Sequence, residues 1–453
     1  MIIDKIHIKE IIGGRYDNSY VLYHHRISTY KYPTEPLYKF LVRKPQYGSG
    51  EAGIPRENND SPRYIRITDI DENGFLIDDI GVTAKNVDNK YILRNNDLLI
   101  ARSGNTVGKS YIHKTEIINE TCFFAGYLIR FVVDSSIIIP DYVYVFTKLP
   151  VFNNWIKVTQ RVVGQPNINA EEYSNMPIPV PPTKIQQEIV NLFLRAQKAR
   201  LEKIQEAEQI LNSIDDYLIE TLRLNKIERS KSRFFIHNIS SIIGNRIDVQ
   251  FHAGMRLVKE IIKETDFKSL GDISSFSSEG WDQKSFFTDT FPYIEISSIN
   301  TFVGKIDNIE SISVKEAPSR AKKIVRKGDI LISTTRPNRG AISIYDNDDI
   351  SIASTGFSII RENDECILKE YLYLILRMSL SLEQMSMRSS GGNYPAIIES
   401  ELKKVIIPVP SIDVQESLIE AVSKMEHRAN QLQKEGDALL NEAKLKIEKL
   451  ILE

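Results

Sequence analysis

The sequence has little cysteine and no long apolar run. Only two of its 453 residues are cysteines, Cys122 and Cys366, which is too few for a disulfide framework or a cysteine-based zinc site. Each lies in an apolar-rich segment, which predicts two buried free thiols and a reducing cytoplasm. No apolar stretch reaches the roughly 18 residues of a membrane span, and residues 1–5 are unlike a signal peptide. We therefore expect a cytoplasmic protein that does not contact a membrane.

Motifs for catalysis are also missing. The seven histidines are scattered, and no glutamate or second histidine stands at metal-ligand spacing from any of them. The loop after residue 101 contains Gly108-Lys109-Ser110, but a phosphate-binding loop needs glycine where this chain has Ser103. We therefore expect no metal, no cofactor and no catalytic centre in this chain. A nucleotide hydrolase built on this loop is the least favoured alternative.

Two copies of one unit are present in the chain. Residues 178–181 and 407–410 both read Ile-Pro-Val-Pro, an offset of 229 (407 − 178), and each precedes a long polar stretch without proline. Similar offsets relate residues 15–17 to 246–248 and residues 96–100 to 328–332. This repeat predicts a tandem duplication of a globular unit followed by a long helix.

Each globular unit has the pattern of a mixed, strand-rich fold. Strands are predicted over residues 64–68, 97–102, 123–130, 293–296 and 330–333, with Asn and Gly turns between them. One short helix is predicted over 141–157, with Tyr142, Val145, Phe146, Leu149 and Trp155 facing inward, and another over 370–376.

The two long polar stretches are predicted to be helices. Thr183 and Gln186 form a T-x-x-Q capping box, and no Gly or Pro follows until about residue 226. A narrow apolar seam runs along each helix, which predicts that they pack on each other as an antiparallel coiled coil. The predicted seam residues are Ile204, Leu211, Leu218, Leu418, Met425, Leu432 and Leu439. The predicted boundaries are 1–182 and 231–410 for the globular domains, and 183–230 and 411–453 for the helices.

Several loops have the residues that proteins use to contact DNA. The formal net charge is −2, so nucleic-acid binding must rest on local patches. Arginine, asparagine and serine side chains can contact phosphates and base edges, and a solvated polar loop is the alternative for each segment. The candidates in the first unit are Tyr47, Ser49, Arg102, Ser103, Asn105, Lys109, Arg161, Gln165 and Asn167. Those in the second are Thr335, Arg336, Asn338, Arg339, Arg388, Ser390, Asn393 and Tyr394. The basic run 320–327 is either a phosphate patch or an exposed basic strand.

In this order and duplicated, these motifs resemble the specificity subunit of type I restriction-modification systems, the HsdS family, over essentially the whole chain. The resemblance rests on the apolar proline stretches before Gln186 and Gln415, the Arg-x-Asp openings at residues 15 and 246, and the Tyr47-Gly48-Ser49 loop. The chain departs from the family pattern in having Ile185 and Val414 before the two glutamines, and Ser278-Glu279-Gly280-Trp281 in place of a second Tyr-Gly-Ser loop.

The resemblance implies a non-catalytic α+β protein with two target recognition domains in tandem. Each domain would read part of a bipartite, asymmetric target in double-stranded DNA, and the helices would dock two methyltransferase subunits. S-adenosylmethionine, ATP and Mg²⁺ would bind partner subunits, including a restriction (motor-nuclease) subunit. A coiled-coil scaffold whose domains do not bind DNA is the main alternative.

Overall fold

The computed structural model describes residues 23, 27, 30–71, 73–77, 79–160, 166–224, 252, 266–283, 285–392 and 394–453. The chain divides into two compact units. The first comprises residues 1–204 with 433–453, and the second comprises residues 205–432. Each unit therefore contains part of both long helices.

The first unit is built around a four-stranded antiparallel sheet of order β2-β9-β6-β7. Three strand pairs accompany it: parallel β4-β8 and antiparallel β3-β5 and β1-β10. The strands are β1 (Thr34–Pro36), β2 (Gln46–Tyr47), β3 (Gly53–Pro55), β4 (Arg63–Ile65), β5 (Val82–Ala84), β6 (Asp97–Ala101), β7 (Ser110–Ile112), β8 (Cys122–Phe124), β9 (Leu128–Val132) and β10 (Pro177–Pro179). The helices are α1 (Pro140–Phe146), α2 (Pro150–Thr159), α3 (Ala170–Ser174) and the long α4 (Thr183–Thr221), which continues into the second unit.

The second unit repeats the plan, with the four-stranded sheet β12-β21-β18-β19. A second sheet, β16-β13-β20-β17, contains the parallel pair β13-β20, and β14-β15 and β11-β22 are antiparallel pairs. Its strands are β11 (Phe267–Ser269), β12 (Ser274–Phe276), β13 (Thr290–Ile294), β14 (Ile299–Asn300), β15 (Lys305–Ile306), β16 (Glu310–Ser313), β17 (Ala321–Val325), β18 (Ile330–Ser333), β19 (Ile342–Ile344), β20 (Ser351–Ser354), β21 (Phe357–Asn363) and β22 (Ile406–Pro408). Its helices are α5 (Leu270–Ile273), α6 (Lys369–Arg377), α7 (Ser379–Arg388) and α8 (Glu399–Leu402), and α9 (Ile412–Leu452) ends the chain.

Strands β6 and β18 lie at the centre of the two units and are buried on both faces. Because alternate side chains point to opposite faces of a strand, β6 contributes to two cores. Leu98 and Ile100 join the core that contains helices α1 and α2, whereas Leu99 packs in the core on the other face. Ile330 and Leu331 divide between two cores in the same way. Burial on both faces explains why these strands are continuous apolar runs in the sequence.

Several predicted elements are shorter or divided. The predicted helix over 141–157 is two helices, because α2 begins at Pro150, whose ring and missing N–H prevent a helix from continuing through it. The five residues predicted to face inward are all buried. The predicted strand over 123–130 is β8 and β9, joined by a turn at Gly126 and Tyr127. Strand β4 ends at Ile65, and a 3-10 turn, Ile67–Asp69, follows it.

Helix α4 begins at Thr183, as predicted, but Gln186 does not complete a capping box. Its side chain is buried, accepts a hydrogen bond from the Ile139 N–H (3.0 Å) and donates one to the Pro181 carbonyl (2.9 Å). This amide joins the first turn of α4 to the start of α1. A polar side chain that satisfies two backbone groups can be buried without a large desolvation penalty.

The long helices contact each other within each unit. In the first unit, Arg200 and Asp437 form an ion pair (2.7 Å between Nε and Oδ1). In the second, Ala207, Ala429 and Leu432 form one apolar cluster, and Leu211 packs against it. Among the predicted seam residues, Leu218, Leu418 and Leu432 are buried, and Ile204, Leu211 and Met425 are partly buried.

The seam prediction is wrong at Leu439, which is 38% exposed, whereas Leu440 is buried. The buried series on α9 after Leu432 is Gly436, Leu440, Ala443, Ile447 and Ile451. Its spacing is four, four, three, four and four, so the buried positions after Leu432 depart from a strict seven-residue repeat. A straight helix rotates away from a seven-residue repeat by about 20° per heptad.

Candidate nucleic-acid interface

An arginine between two tyrosines marks the candidate surface of the first unit. The Arg102 guanidinium carbon lies 5.0 Å from the ring centre of Tyr47 and 6.0 Å from that of Tyr127. Arg102 directly follows β6, and its N–H donates to the Tyr127 carbonyl (3.0 Å). Its Nε is buried and has no hydrogen-bond partner within the described part of the chain. Stacking on aromatic faces fixes an arginine in a geometry suited to bidentate recognition.

Gly48 allows the Tyr47 loop to approach the β8–β9 turn. A Cβ at Gly48 would lie 2.2 Å from the Ala125 carbonyl oxygen, which is too close for any other residue without movement of the backbone. Ser49, one of the predicted DNA contacts, is buried. Its carbonyl accepts a hydrogen bond from the Tyr64 hydroxyl (2.8 Å). Ser49 therefore holds the loop, and Tyr47, 40% exposed, is its accessible residue.

The other described candidates of the first unit lie in or beside the loop that follows β6. Ser103 and Asn167 form an antiparallel bridge, which brings the segment after residue 165 next to Arg102. Asn105 is exposed in a 3-10 turn, Gly104–Thr106, and Lys109 is partly buried at the loop's end. The sequence-predicted residues Tyr47, Arg102, Ser103 and Asn167 are therefore neighbours.

The corresponding surface of the second unit is centred on Arg336 and Tyr394. The Arg336 guanidinium carbon lies 4.3 Å from the ring centre of Tyr394, which is 69% exposed. Arg336 has left-handed backbone angles (φ 49°, ψ 54°), and its N–H donates to the Pro395 carbonyl (2.7 Å). Gly104 has the same role in the first unit, with φ 73° and a bond to the Pro166 carbonyl (2.9 Å). An arginine thus stands where the duplicate has glycine.

Four more candidates of the second unit lie near this arginine. Thr335 bridges Ala396, and Ser390 exchanges two backbone hydrogen bonds with Ala396 (2.9 and 2.8 Å). Asn338 and Arg339 are exposed in a 3-10 turn, Pro337–Arg339.

Arg388 does not belong to this exposed set. It is only 6% exposed and forms an ion pair with Glu401 (3.2 Å between Nη1 and Oε2). The prediction of a DNA contact there is corrected by this burial, since a buried, paired guanidinium braces α7 against α8. Its position beside the Gly391-Gly392 pair predicts a loop, but α7 continues through residue 388.

In each unit, an aspartate at the start of the central strand forms an ion pair with an arginine on the neighbouring strand. Asp97 pairs with Arg130 (3.2 Å), and Asp329 pairs with Arg361 (2.9 Å). Burial raises the pKa of Asp97 despite this pairing. In the second unit, Glu279 also accepts hydrogen bonds from Arg326 and Arg361, and these bonds, chiefly that from Arg326, lower the pKa of Glu279 to about 2.

The basic run 320–327 is partly committed to the fold. Arg326 pairs with Glu279 (2.6 Å) and Lys327 with Asp348 (2.6 Å). Ala321 and Ile324 point into the core, and Lys322 is exposed. The run is therefore mainly a structural strand with charged edges, not a continuous phosphate patch.

Sequence reasoning missed Tyr127, because a predicted continuous strand hid the turn that exposes it.

Of the two cysteines, Cys122 is buried and burial raises its pKa to about 12, but Cys366 is only partly buried. Trp281 is 2% exposed and packs against Phe291, so it is not part of the surface.

Some predictions lie outside the described residues. These are Arg161, Gln165, Asn393 and the Arg-x-Asp openings at residues 15 and 246. Among the described residues, no group of three or more His, Cys, Asp or Glu side chains is arranged to hold a metal ion. No helix in the described ranges is long and apolar enough to span a membrane.

Comparison with known proteins decides the family. The model of the type I restriction modification DNA specificity domain matches the chain twice, over residues 51–212 and 262–442. The chain belongs to this family. Its two matches correspond to the two copies found in the sequence.

Curated relatives agree with this assignment. The chain is 30% identical over 163 residues to the type I restriction enzyme HindI specificity subunit of Haemophilus influenzae, a match that spans 35% of each chain. It is 22% identical over 395 residues to the MjaVIII specificity subunit of Methanocaldococcus jannaschii, with 83% of each chain covered. A solved chain of a type I R-M system aligns with 93% of this chain and 96% of its own length at 14% identity, with a TM-score of 0.48. The family assignment rests on the domain model and not on that structural score.

Proposed function

We propose that this chain gives a type I restriction-modification complex its DNA sequence specificity by reading a bipartite, asymmetric target. The main support is one observation: one scaffold occurs twice, and each copy presents an arginine stacked on exposed tyrosine, with different neighbours. Arg102 and Arg336 are not at equivalent positions, since Gly104 is the counterpart of Arg336. Two similar scaffolds with different exposed donors would read different half-sites.

The chain itself would be non-catalytic. Methyl transfer from S-adenosylmethionine would take place in two partner methyltransferase subunits, each acting on a flipped adenine. ATP and Mg²⁺ would serve restriction subunits. In this proposal the chain forms the contact with double-stranded DNA and selects the sequence.

The long helices would pair as an antiparallel coiled coil that docks these partners and sets the gap between half-sites. The contacts within each unit, such as Arg200 with Asp437, support this pairing. Helix α4 has 39 residues and is therefore about 60 Å long. Half-sites one turn of DNA apart are about 34 Å from centre to centre. The helices would be long enough to act as a spacer and still bind partners.

A reconstituted complex tests the proposal. The chain with its matched methyltransferase subunit should methylate a randomised DNA library at one split motif. The chain alone should show neither methyl transfer nor ATP hydrolysis. Arg102→Ala should reduce the discrimination between bases by about 1–3 kcal/mol at one position of one half-site, as expected for a lost arginine–guanine contact. Arg94→Ala, which removes an exposed arginine before β6, at the end of that strand opposite to Arg102, is the control. Methylation without sequence preference would contradict the proposal.

A further inference from the structure

A cavity in the second unit combines three arginines with one carboxylate. It has a volume of about 450 Å³, and its charged lining residues are Glu295, Arg320, Arg336 and Arg339. Thr335 and Ser354 add hydroxyl groups. The lining therefore presents arginine donors together with a group that, when ionised, only accepts hydrogen bonds.

Two of the arginines are not used by ion pairs of the fold. In this unit, ion pairs involve Arg326, Arg361 and Arg388, among others. In the described part of the chain, no ion pair involves Arg320 or Arg339. Both side chains are exposed. Their charges are available to a ligand in the cavity.

Arg336 is held in a costly backbone conformation. The left-handed region is unfavourable for residues with a Cβ, and the first unit has Gly104 at the equivalent place. Stacking on Tyr394 fixes the guanidinium. A strained residue that the surrounding structure holds in place suggests a functional reason for its side chain.

Glu295 replaces an arginine of the first unit. Arg66 and Glu295 both precede a 3-10 turn, and their offset is that of the repeat (295 − 66 = 229). Arg66 is neutralised by Asp69 (2.6 Å between Nη2 and Oδ1). The residue equivalent to Asp69 is Ser298, whose hydroxyl accepts a hydrogen bond from the Glu295 N–H (3.2 Å). The charge at this position is therefore reversed between the units.

We infer that the cavity reads a G·C base pair from the major groove, with Arg336 donating to guanine and Glu295 accepting from cytosine. Guanine presents two acceptors in the major groove, O6 and N7, which suit a bidentate arginine. Cytosine presents the N4 amino donor, which suits a carboxylate. Thymine in place of cytosine offers no donor there, so the pair of side chains favours G·C over A·T. The inference rests on the proposed function and specifies what one half of the target contains.

Arg336→Gly tests this without disturbing the backbone, because glycine is the residue that the first unit has in this conformation. The matched control is Arg223→Gly, which removes an exposed arginine that is also left-handed (φ 53°) but does not line the cavity. Each variant is assembled with the methyltransferase subunit, and methylation rates are measured over the randomised library. For Arg336→Gly, the preference for guanine at one position should fall about 5- to 150-fold, while the other half-site is unchanged.

Glu295→Gln supplies a second, independent change. A glutamine amide can pair with adenine N6 and N7, so discrimination against T·A, in which adenine replaces cytosine and thymine replaces guanine, should weaken, while the Arg336 contact keeps G·C the preferred pair. The control should retain the wild-type motif. A uniform loss of rate over all sequences in Arg336→Gly would mean a phosphate contact and would overturn the inference, as would an unchanged motif. If the wild-type motif is split but the half-site affected by Arg336→Gly contains no G·C pair, this inference alone is refuted. Methylation with no motif would refute the proposed function.

Discussion

Gln186 and Gln415 have the same structural role 229 residues apart (415 − 186). Each is buried under the first turn of a long helix and accepts a hydrogen bond from a backbone N–H at the start of a short helix, Ile139 (3.0 Å) or Leu368 (2.8 Å). Each donates to a proline carbonyl, that of Pro181 (2.9 Å) or Pro410 (2.8 Å). Both units thus attach their long helix through one side-chain amide.

Replacing Gln415 with alanine should destabilise the second unit. The Leu368 N–H and the Pro410 carbonyl would lose their partner, and each unsatisfied buried group costs about 1–3 kcal/mol. We expect a loss of about 2–4 kcal/mol in the free energy of unfolding, measured by urea denaturation. Gln187→Ala removes an exposed glutamine from α4 and should change stability by less than about 0.5 kcal/mol. Equal stabilities of the two variants would contradict this role.

Gly48→Ala should displace the Tyr47 loop. The new Cβ would meet the Ala125 carbonyl oxygen at 2.2 Å, so the backbone must move and the stack of Tyr47 on Arg102 must open. We expect a stability loss of about 1–3 kcal/mol and weaker binding to the half-site of the first unit. Gly50→Ala is the matched control, since nothing lies within 4 Å of its Cβ. The affinity for DNA, measured by fluorescence anisotropy, should be lower for Gly48→Ala than for Gly50→Ala. Normal binding by Gly48→Ala would show that the stack is dispensable.

The ion pairs of Glu279 predict a pH-dependent stability. Its folded-state pKa of about 2 lies below the ordinary value of 4.5, so its contribution is present above pH 4.5 and is lost as the pH falls toward 2. At pH 7, Glu279→Gln should be less stable by about 1 kcal/mol, a figure reduced for partial solvent screening.

The difference in stability between the wild type and Glu279→Gln should narrow between pH 5 and pH 3. In this range the wild type loses the stability that the ionised Glu279 contributes, whereas the glutamine variant has no such contribution to lose. Thermal unfolding of both proteins across this range measures the effect. Glu362→Gln, at an exposed site of β21, is the matched control. A constant difference across the range would contradict the assigned ion pairs.

The position of the buried face on α9 can be tested with two adjacent leucines. Leu440 is 4% exposed and lies in the core of the first unit, whereas Leu439 is 38% exposed. Leu440→Ala should lower the free energy of unfolding by about 2–5 kcal/mol, and Leu439→Ala should lower it by less than about 1 kcal/mol. Urea denaturation of the two variants decides between the observed face and the seven-residue series. A larger loss for Leu439→Ala would restore that series.

Local chemistry made much of the fold predictable. The apolar run at 330–333 is strand β18, and the proline stretch before Thr183 is followed by helix α4, as predicted. Such signals depend on adjacent residues. The repeat was visible for the same reason, since the two copies retain the same proline-rich segments.

What could not be predicted depends on tertiary contacts. The apolar sequence through residue 127 gave no sign that Gly126 and Tyr127 form a turn, and the exposure of Tyr127 follows from strand pairing on either side. Arg388 reads as a loop arginine, but Glu401, on the next helix, pairs with it in the folded unit. The left-handed backbone of Arg336 became interpretable only beside Gly104 of the first unit.

The most direct test of the central claim is a genome-wide map of N6-methyladenine in cells that express the matched methyltransferase subunit with and without this chain. The proposal predicts one asymmetric, split motif that is methylated only when the chain is present. Loss of the chain should abolish methylation at that motif. A methyltransferase that is active and produces the same methylation pattern without the chain would contradict the claim that the chain selects the DNA sequence.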